Sequence, residues 1–341
     1  MAHVVMADDG IAFDGATAEA GPLGGAETAF VALAEALAAR GHRVEARSHC
    51  RAPLCHNGVA WAPLASGVPE ECDLYIGNRG HRVIGLVPEA KRRLFWLHNP
   101  AGYLRKPRFL GPLLRYRPTL IVTGEYHAST VPAWLPCERQ MIPYGILDSF
   151  RHAELREPPP PRAVFTSNPL RGLDWLLDLW TARIHPALPQ AELHIFAGPT
   201  VYRGVAAESE KRMETVLARV EDMHAHGVRR HAPVGRKMLA LVLAGARVML
   251  YRGDPGETFC LALAEAQAMG VPAVVQPRGS VVERVIDGVT GHIAGDDDSF
   301  AGAAIALLKD DALWRRFHAE ALARQRGQSW DDIGAQFEAL I

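Results

Sequence analysis

The sequence predicts an α/β protein built as two consecutive domains, each a parallel sheet with helices on both faces. Three observations predict it. The chain has 341 residues, more than one hydrophobic core usually organises. Short apolar runs alternate with longer amphipathic stretches, the pattern of parallel strands joined by crossover helices. A run of four prolines, Pro158–Pro161, interrupts that alternation, which then restarts.

In the first half the strand candidates are "HVVMA", "RVEARS", "DLYIG", "RRLFWLH", "TLIVTG" and "RQMIPYG", each bounded by polar, Gly or Pro residues. Between the first two, Ala26, Phe30, Leu33 and Leu37 recur at helical spacing and Gly41 supplies a stop. Prolines lack the amide proton that a sheet ladder needs, so residues 152–161 read as the inter-domain connection. A stiff surface loop inside one domain is the alternative. Beyond it come "AVFTS", a helix with Leu173, Leu176, Leu177 and Trp180 on one face, and "ELHIFAG". A helix through Met213–Met223, "ARVMLY", a helix around Glu265, "PAVVQP" and "TGHIAG" follow. A last amphipathic segment carries Ile333, Phe337 and Leu340, with Ser329 or Asp331 as its cap. Ligands of such folds are expected at the carboxyl ends of the strands and between the domains.

Hydrophobic residues at 48%, charged residues at 22% and a net charge of -1 fit a soluble globular protein with no global attraction to nucleic acid. The five cysteines, Cys50, Cys55, Cys72, Cys137 and Cys260, form no CxxC pair. They read as reduced thiols of a cytoplasmic protein. No basic stretch followed by an apolar one opens the chain, and no uncharged apolar run is long enough to span a membrane. Peripheral contact with the inner face of a membrane survives that test, and the oligomeric state stays open.

Gly24 and Gly25 precede the first long helix, where close backbone approach and a helix start suit an anion, although diglycines also occur in ordinary turns. Neither GxGxxG nor GxxxxGK[ST] occurs, which removes the usual signatures of dinucleotide and P-loop proteins. His98 closes the run "LFWLH", a place from which an imidazole can reach a sugar hydroxyl or a phosphate. Arg171 offers a planar fork suited to phosphate oxygens. Glu257 precedes a helix and Glu265 lies within it, so one carboxylate can hold a ribose and the other a transferred sugar. Gly279 and Ser280 supply amides for a phosphate. His224, His226 and His231 read as surface histidines, and Asp296–Asp298 as a solvated run, so no metal is expected.

The order of these motifs resembles the retaining GT-B glycosyltransferases of glycosyltransferase family 4. Its E-x7-E element aligns on Glu257 and Glu265, followed by Ala266-Gln267-Ala268-Met269-Gly270-Val271-Pro272-Ala273-Val274-Val275. Gly279, Glu283, Asp287-Gly288 and Gly291 match the "GGxxE…DGxTG" tail. "GGAE", "RGHRV", "PYGI" at 143–146 and the terminal "SWDDIGAQFEAL" extend the likeness over nearly the whole chain. The resemblance implies a GT-B fold of two Rossmann-like domains facing across a cleft. Residues 1–157 would form the acceptor side and 162–315 the nucleotide-sugar side, with 316–341 returning toward the first domain. It assigns Glu265 to the nucleotide ribose and Glu257 to the donor sugar. Gly24 and Gly25 go to the diphosphate from one side, Gly279 and Ser280 from the other. His98 falls near the reacting centre, and Arg171 where the family has a phosphate-binding lysine.

Two departures stand out. Thr166 occupies the place of a family arginine, for which Arg252 is the candidate substitute, and Cys260 stands where the family has glycine. The implied activity is retaining hexosyl transfer from a nucleotide-diphosphate sugar, UDP- or GDP-linked, to a glycan, lipid-linked or small-molecule hydroxyl, without a further cofactor. A GT-B epimerase or phosphorylase, or an impaired nucleotide-sugar-binding protein, is the alternative. Arg105 and Lys106, in a basic segment interleaved with Tyr103, Phe109, Leu113 and Leu114, are the candidate acceptor contacts.

Overall fold

The computed structural model describes residues 1–198 and 207–341. The chain forms two compact units: Met1–Gly145 with Gln328–Ile341, and Ile146–Gly327. Each holds one sheet, and helices pack around both sheets as in a GT-B fold.

The first unit contains β1 (His3–Asp8), α1 (Gly15–Ala20), α2 (Gly25–Ala39), β2 (Arg43–Ser48), β3 (Leu54–His56), β4 (Val59–Pro63) and β5 (Glu71–Asn78). It continues with β6 (Glu89–Trp96), α3 (Pro107–Tyr116), β7 (Thr119–Val122), α4 (Glu125–Ser129) and β8 (Arg139–Met141). The strand order is β3-β4-β2-β1-β5-β6-β7-β8, parallel except for β3 against β4. That antiparallel pair turns on Asn57 and Gly58, both at positive φ (45° and 78°), the geometry of an Asn-Gly hairpin. Val4, Val5 and Met6 of β1 are fully buried, as expected of a strand covered on both faces. The C-terminal helix Trp330–Glu338 completes this unit. Its Phe337 meets Trp96, while Arg40, which caps the carboxyl end of α2, binds Glu338 at 2.6 and 2.8 Å and Asp331 at 2.9 Å. Ser329 caps the helix in a reciprocal box with Asp332.

The second unit contains α5 (Asp148–Arg151), β9 (Arg162–Phe165), α6 (Leu173–Leu179), α7 (His185–Ala187), β10 (Glu192–Phe196) and α8 (Ala207–Asp222). Then come β11 (Val228–His231), α9 (Arg236–Ala244), β12 (Val248–Tyr251), α10 (Leu261–Ala268), β13 (Ala273–Val275), β14 (Gly291–Ile293), α11 (Asp297–Lys309) and α12 (Asp311–Arg324). Its all-parallel order, β11-β10-β9-β12-β13-β14, is the doubly wound one in which the connections reverse between β9 and β12.

The division of the chain differs from the sequence expectation. The proline tract lies inside the second unit, where it leads into β9 and Arg247 Nη1 donates to the Pro159 carbonyl at 3.2 Å. α12, assigned in part to the returning segment, also stays in the second unit. There its Trp314 donates to the Arg247 carbonyl at 2.7 Å and His318 meets the Gly270 carbonyl at 2.6 Å. The return to the first unit begins only at Gln328. Among the described residues no helix is long and apolar enough to cross a membrane.

Candidate active site

In the second unit the switch point of the sheet is flanked by the loops after β9 and β12. The first of these turns on Asn168, whose side chain accepts from the Leu170 amide at 2.9 Å and whose carbonyl accepts from the Arg171 amide at 2.9 Å. This turn presents Arg171, which pairs through Nη1 with Glu257 Oε1. Tyr251, the last residue of β12, donates its hydroxyl to the same oxygen at 2.7 Å. Burial, then the adjacent Glu257 charge, push the Tyr251 phenol well above its ordinary pKa, so it remains a donor. A carboxylate accepts on both oxygens and a guanidinium donates in a planar fork, chemistry suited to sugar hydroxyls and phosphate oxygens.

Glu265 sits one turn into α10, among Leu263, Ala264, Ala266 and Ala268, and is only 1% exposed. Such burial raises its pKa, and Arg236 opposes the rise. Arg236 Nη1 lies 2.7 Å from each carboxylate oxygen. It begins α9 and was not among the residues that the sequence singled out. The available signal was a Gly-Arg pair opening a helix after a strand.

The loop 254–257 and the segment 278–280 brace each other. Gly279 has φ +64°, and a Cβ there would lie 2.2 Å from the Asp254 carbonyl, so only glycine fits. The Ser280 amide donates to the Glu257 carbonyl at 3.1 Å. That amide, offered for a phosphate, bonds here within the fold. The Ser280 Oγ is buried without a partner among the described residues, as is Thr166 Oγ1. Cys260, at φ +61° before α10, takes the left-handed geometry that glycine adopts most readily. Arg252 is the candidate substitute for the family arginine. Its guanidinium lies 4.9 Å from the Trp175 ring and its Nε donates to Gln276 at 3.1 Å. Asp297, read as solvated, accepts from Trp175 at 3.1 Å and from Gln276 at 3.0 Å.

In the first unit Gly24 caps α2 and Gly25 is its first residue, so the helix start carries the diglycine. Glu27 follows in the same turn and pairs with Arg79 at 2.7 Å. Arg79 also binds Asp8 through Nε at 2.9 Å and Nη2 at 3.0 Å. Asn78 donates to Asp8 through Nδ2, and its Oδ1 faces His98 Nε2. The imidazole therefore carries its proton on Nε2, and Nδ1 accepts from the Tyr144 hydroxyl. Burial, then the Arg79 charge, hold the His98 pKa well below 6.5, so the ring is neutral at physiological pH. His127 bonds to the Asn99 carbonyl at 3.1 Å and fixes the loop beside His98. Asp8, Asn78 and Arg79 were missed in the sequence, where single polar residues at strand ends have no periodicity to mark them, and Tyr144 entered only as part of "PYGI". Arg105 and Lys106 are exposed at the start of α3, whose Phe109 and Leu113 are buried. The structure thus groups Arg171, Glu257 and Glu265 in one unit and Gly24, Gly25, His98, Arg105 and Lys106 in the other.

Residues 160–310 match the family model of glycosyl transferases group 1. That match lies within the second unit. It is 32% identical over 213 residues to D-inositol 3-phosphate glycosyltransferase of Xylanimonas cellulosilytica, covering 57% of this chain and 49% of that relative. The chain therefore spans about half the length of that curated relative. Sucrose-phosphate synthase of Thermosynechococcus elongatus has the same fold, with a TM-score of 0.77 at 18% identity over 99% of this chain and 98% of that one. Anabaena HepE, solved with UDP and glucose, gives 0.71 at 14% identity over 99% of each chain.

Proposed function

We propose that the protein is a glycosyltransferase that moves a sugar from a nucleotide-diphosphate sugar to a hydroxyl acceptor with retention of anomeric configuration. One observation carries the reading: two buried carboxylates, Glu257 and Glu265, each held by an arginine, lie beside the carboxyl edge of a 3-2-1-4-5-6 sheet. In this reading Glu265 accepts the vicinal hydroxyls of the ribose. Glu257 accepts hydroxyls of the donor sugar. Arg171 stabilises the charge that grows on the leaving diphosphate, where a fixed cation favours the transition state over the ground state. The leaving phosphate takes the acceptor proton on the same face, so Glu257 and Glu265 are not a hydrolase acid and nucleophile. His98 contributes a neutral ring whose orientation Asn78 and Tyr144 fix. We set the reaction in the cytoplasm, with acceptors approaching by way of residues 103–118. The UDP and glucose named with the HepE structure support a UDP-linked donor.

A thermal-shift screen of UDP, GDP and ADP and of their hexose derivatives tests the donor, because a ligand that binds only the native state raises Tm. At least one nucleotide should raise Tm, and its sugar derivative should then yield an axial or equatorial product matching the donor anomer by NMR. Release of free nucleotide without transfer would favour an epimerase, and stabilisation by none of them would defeat the reading.

A further inference from the structure

Behind the loop that leads to Glu257, the second unit holds a cavity of about 460 Å³ lined by Trp175, Arg212, Thr215, Arg252, Asp254 and Arg278 among others. Arg171, Glu257, Glu265 and Arg236 are not part of its wall, although Leu170 and Gly172 on either side of Arg171 are, as is Arg252, the residue offered for the donor diphosphate. Its charges do not balance. Asp174, also in the wall, is taken by Arg219, and Asp254 accepts from the Gly256 amide at 2.7 Å. Arg212 and Arg278 have no ion pair among the described residues, and Arg252 bonds only to the neutral Gln276 and rests on Trp175. Burial, then the neighbouring Arg278 charge, lower the Arg252 pKa, and the nearby Asp297 carboxylate opposes them. The Thr215 hydroxyl donates to the Lys211 carbonyl at 3.0 Å, so toward the cavity the donors come from the arginines.

We propose that this cavity is a second ligand site, separate from the nucleotide, and that it takes a phosphomonoester on a small organic body. Three guanidiniums supply more forked donors than one carboxylate can use, whereas a dianionic phosphoryl group has three terminal oxygens to receive them. The volume is within the range of small-molecule sites and exceeds what a bare ion fills. The Trp175 indole provides an apolar wall for the rest of the ligand. None of this depends on the transferase reading.

Titration calorimetry on the full chain tests it with three probes: inorganic phosphate, glucose 6-phosphate and glucose, each with and without saturating UDP. Glucose 6-phosphate should bind more tightly than inorganic phosphate, glucose should not bind, and UDP should leave these results unchanged. The double variant Arg212→Ala/Arg278→Ala replaces two exposed side chains. It should keep its Tm and lose at least about tenfold in affinity for glucose 6-phosphate, the worth of one or more charge-assisted bonds. Displacement of the sugar phosphate by UDP would return the site to the nucleotide and overturn the proposal. So would unaltered affinity in the double variant, equal affinity for inorganic phosphate, or no binding of either phosphate.

Discussion

At the switch point of the first sheet, Asp8, Asn78 and Arg79 satisfy one another, Glu27 and His98. At the switch point of the second, Arg171 and Tyr251 both bind Glu257, and two hydroxyls, Thr166 Oγ1 and Ser280 Oγ, are buried without partners among the described residues. The first cluster is closed and the second is incomplete. The contrast teaches what each edge is for. A closed network fixes a tautomer, so that His98 presents a defined neutral ring. An incomplete one leaves acceptors and donors to be satisfied by a ligand. The comparison can be broken at either end.

The largest effect is expected at Asp8, which is fully buried and receives both Arg79 and Asn78. Asp8→Ala leaves the Arg79 cation with Glu27 alone, and should cost about 3–5 kcal/mol in denaturant unfolding, as removal of one member of a buried pair does. Loss of under 1 kcal/mol would mean that the cluster is not closed.

Acid comes next. His127 titrates at about 4, lowered by burial, and His98 is lowered as well. Both take up protons more readily when unfolded, near 6.5, so stability is full above that pH and falls as pH drops toward 4. For His127 alone the loss reaches on the order of 3 kcal/mol at pH 4. Denaturation midpoints that stay flat from pH 7 to 4 would contradict the neutral rings.

A smaller effect is expected at Arg236. Its removal takes away the cation that opposes the raised pKa of Glu265. Arg236→Ala should weaken nucleotide binding about tenfold, comparable to one charge-assisted bond, and move its pH dependence upward. Conservative Arg236→Lys should restore the pH profile in part. Smallest is the charge reversal of Arg105 and Lys106, both exposed. It should raise KM for an anionic acceptor a few-fold at low salt and lose that effect as screening rises, leaving kcat alone.

Much of the fold was legible because buried parallel strands are near-continuous apolar runs: "RVEARS" is β2 to the residue, and α2 carries the apolar face read from Phe30, Leu33 and Leu37. β11 was passed over because an edge strand reading Val-Arg-Arg-His has no apolar run. The Asn57-Gly58 hairpin was passed over although its turn chemistry was visible. Proline content misplaced the division of the chain, since a stiff tract can lead into a strand as well as join domains. In the site, Glu257 and Glu265 were legible through their ordered motif. Their arginine partners were not equally so. Arg171 had a motif position, whereas Arg236 reaches Glu265 across 29 residues of sequence.

The central claim is that the second unit holds a nucleotide sugar through carboxylates with separate tasks. Titration calorimetry of Glu257→Ala and Glu265→Ala with the free nucleoside diphosphate and with its sugar derivative tests it most directly. Glu265→Ala should weaken both ligands alike, by about tenfold or more, since the ribose belongs to both. Glu257→Ala should weaken only the sugar derivative and leave the free nucleotide within a factor of about two. Equal losses on the free nucleotide in the two variants would contradict the assignment.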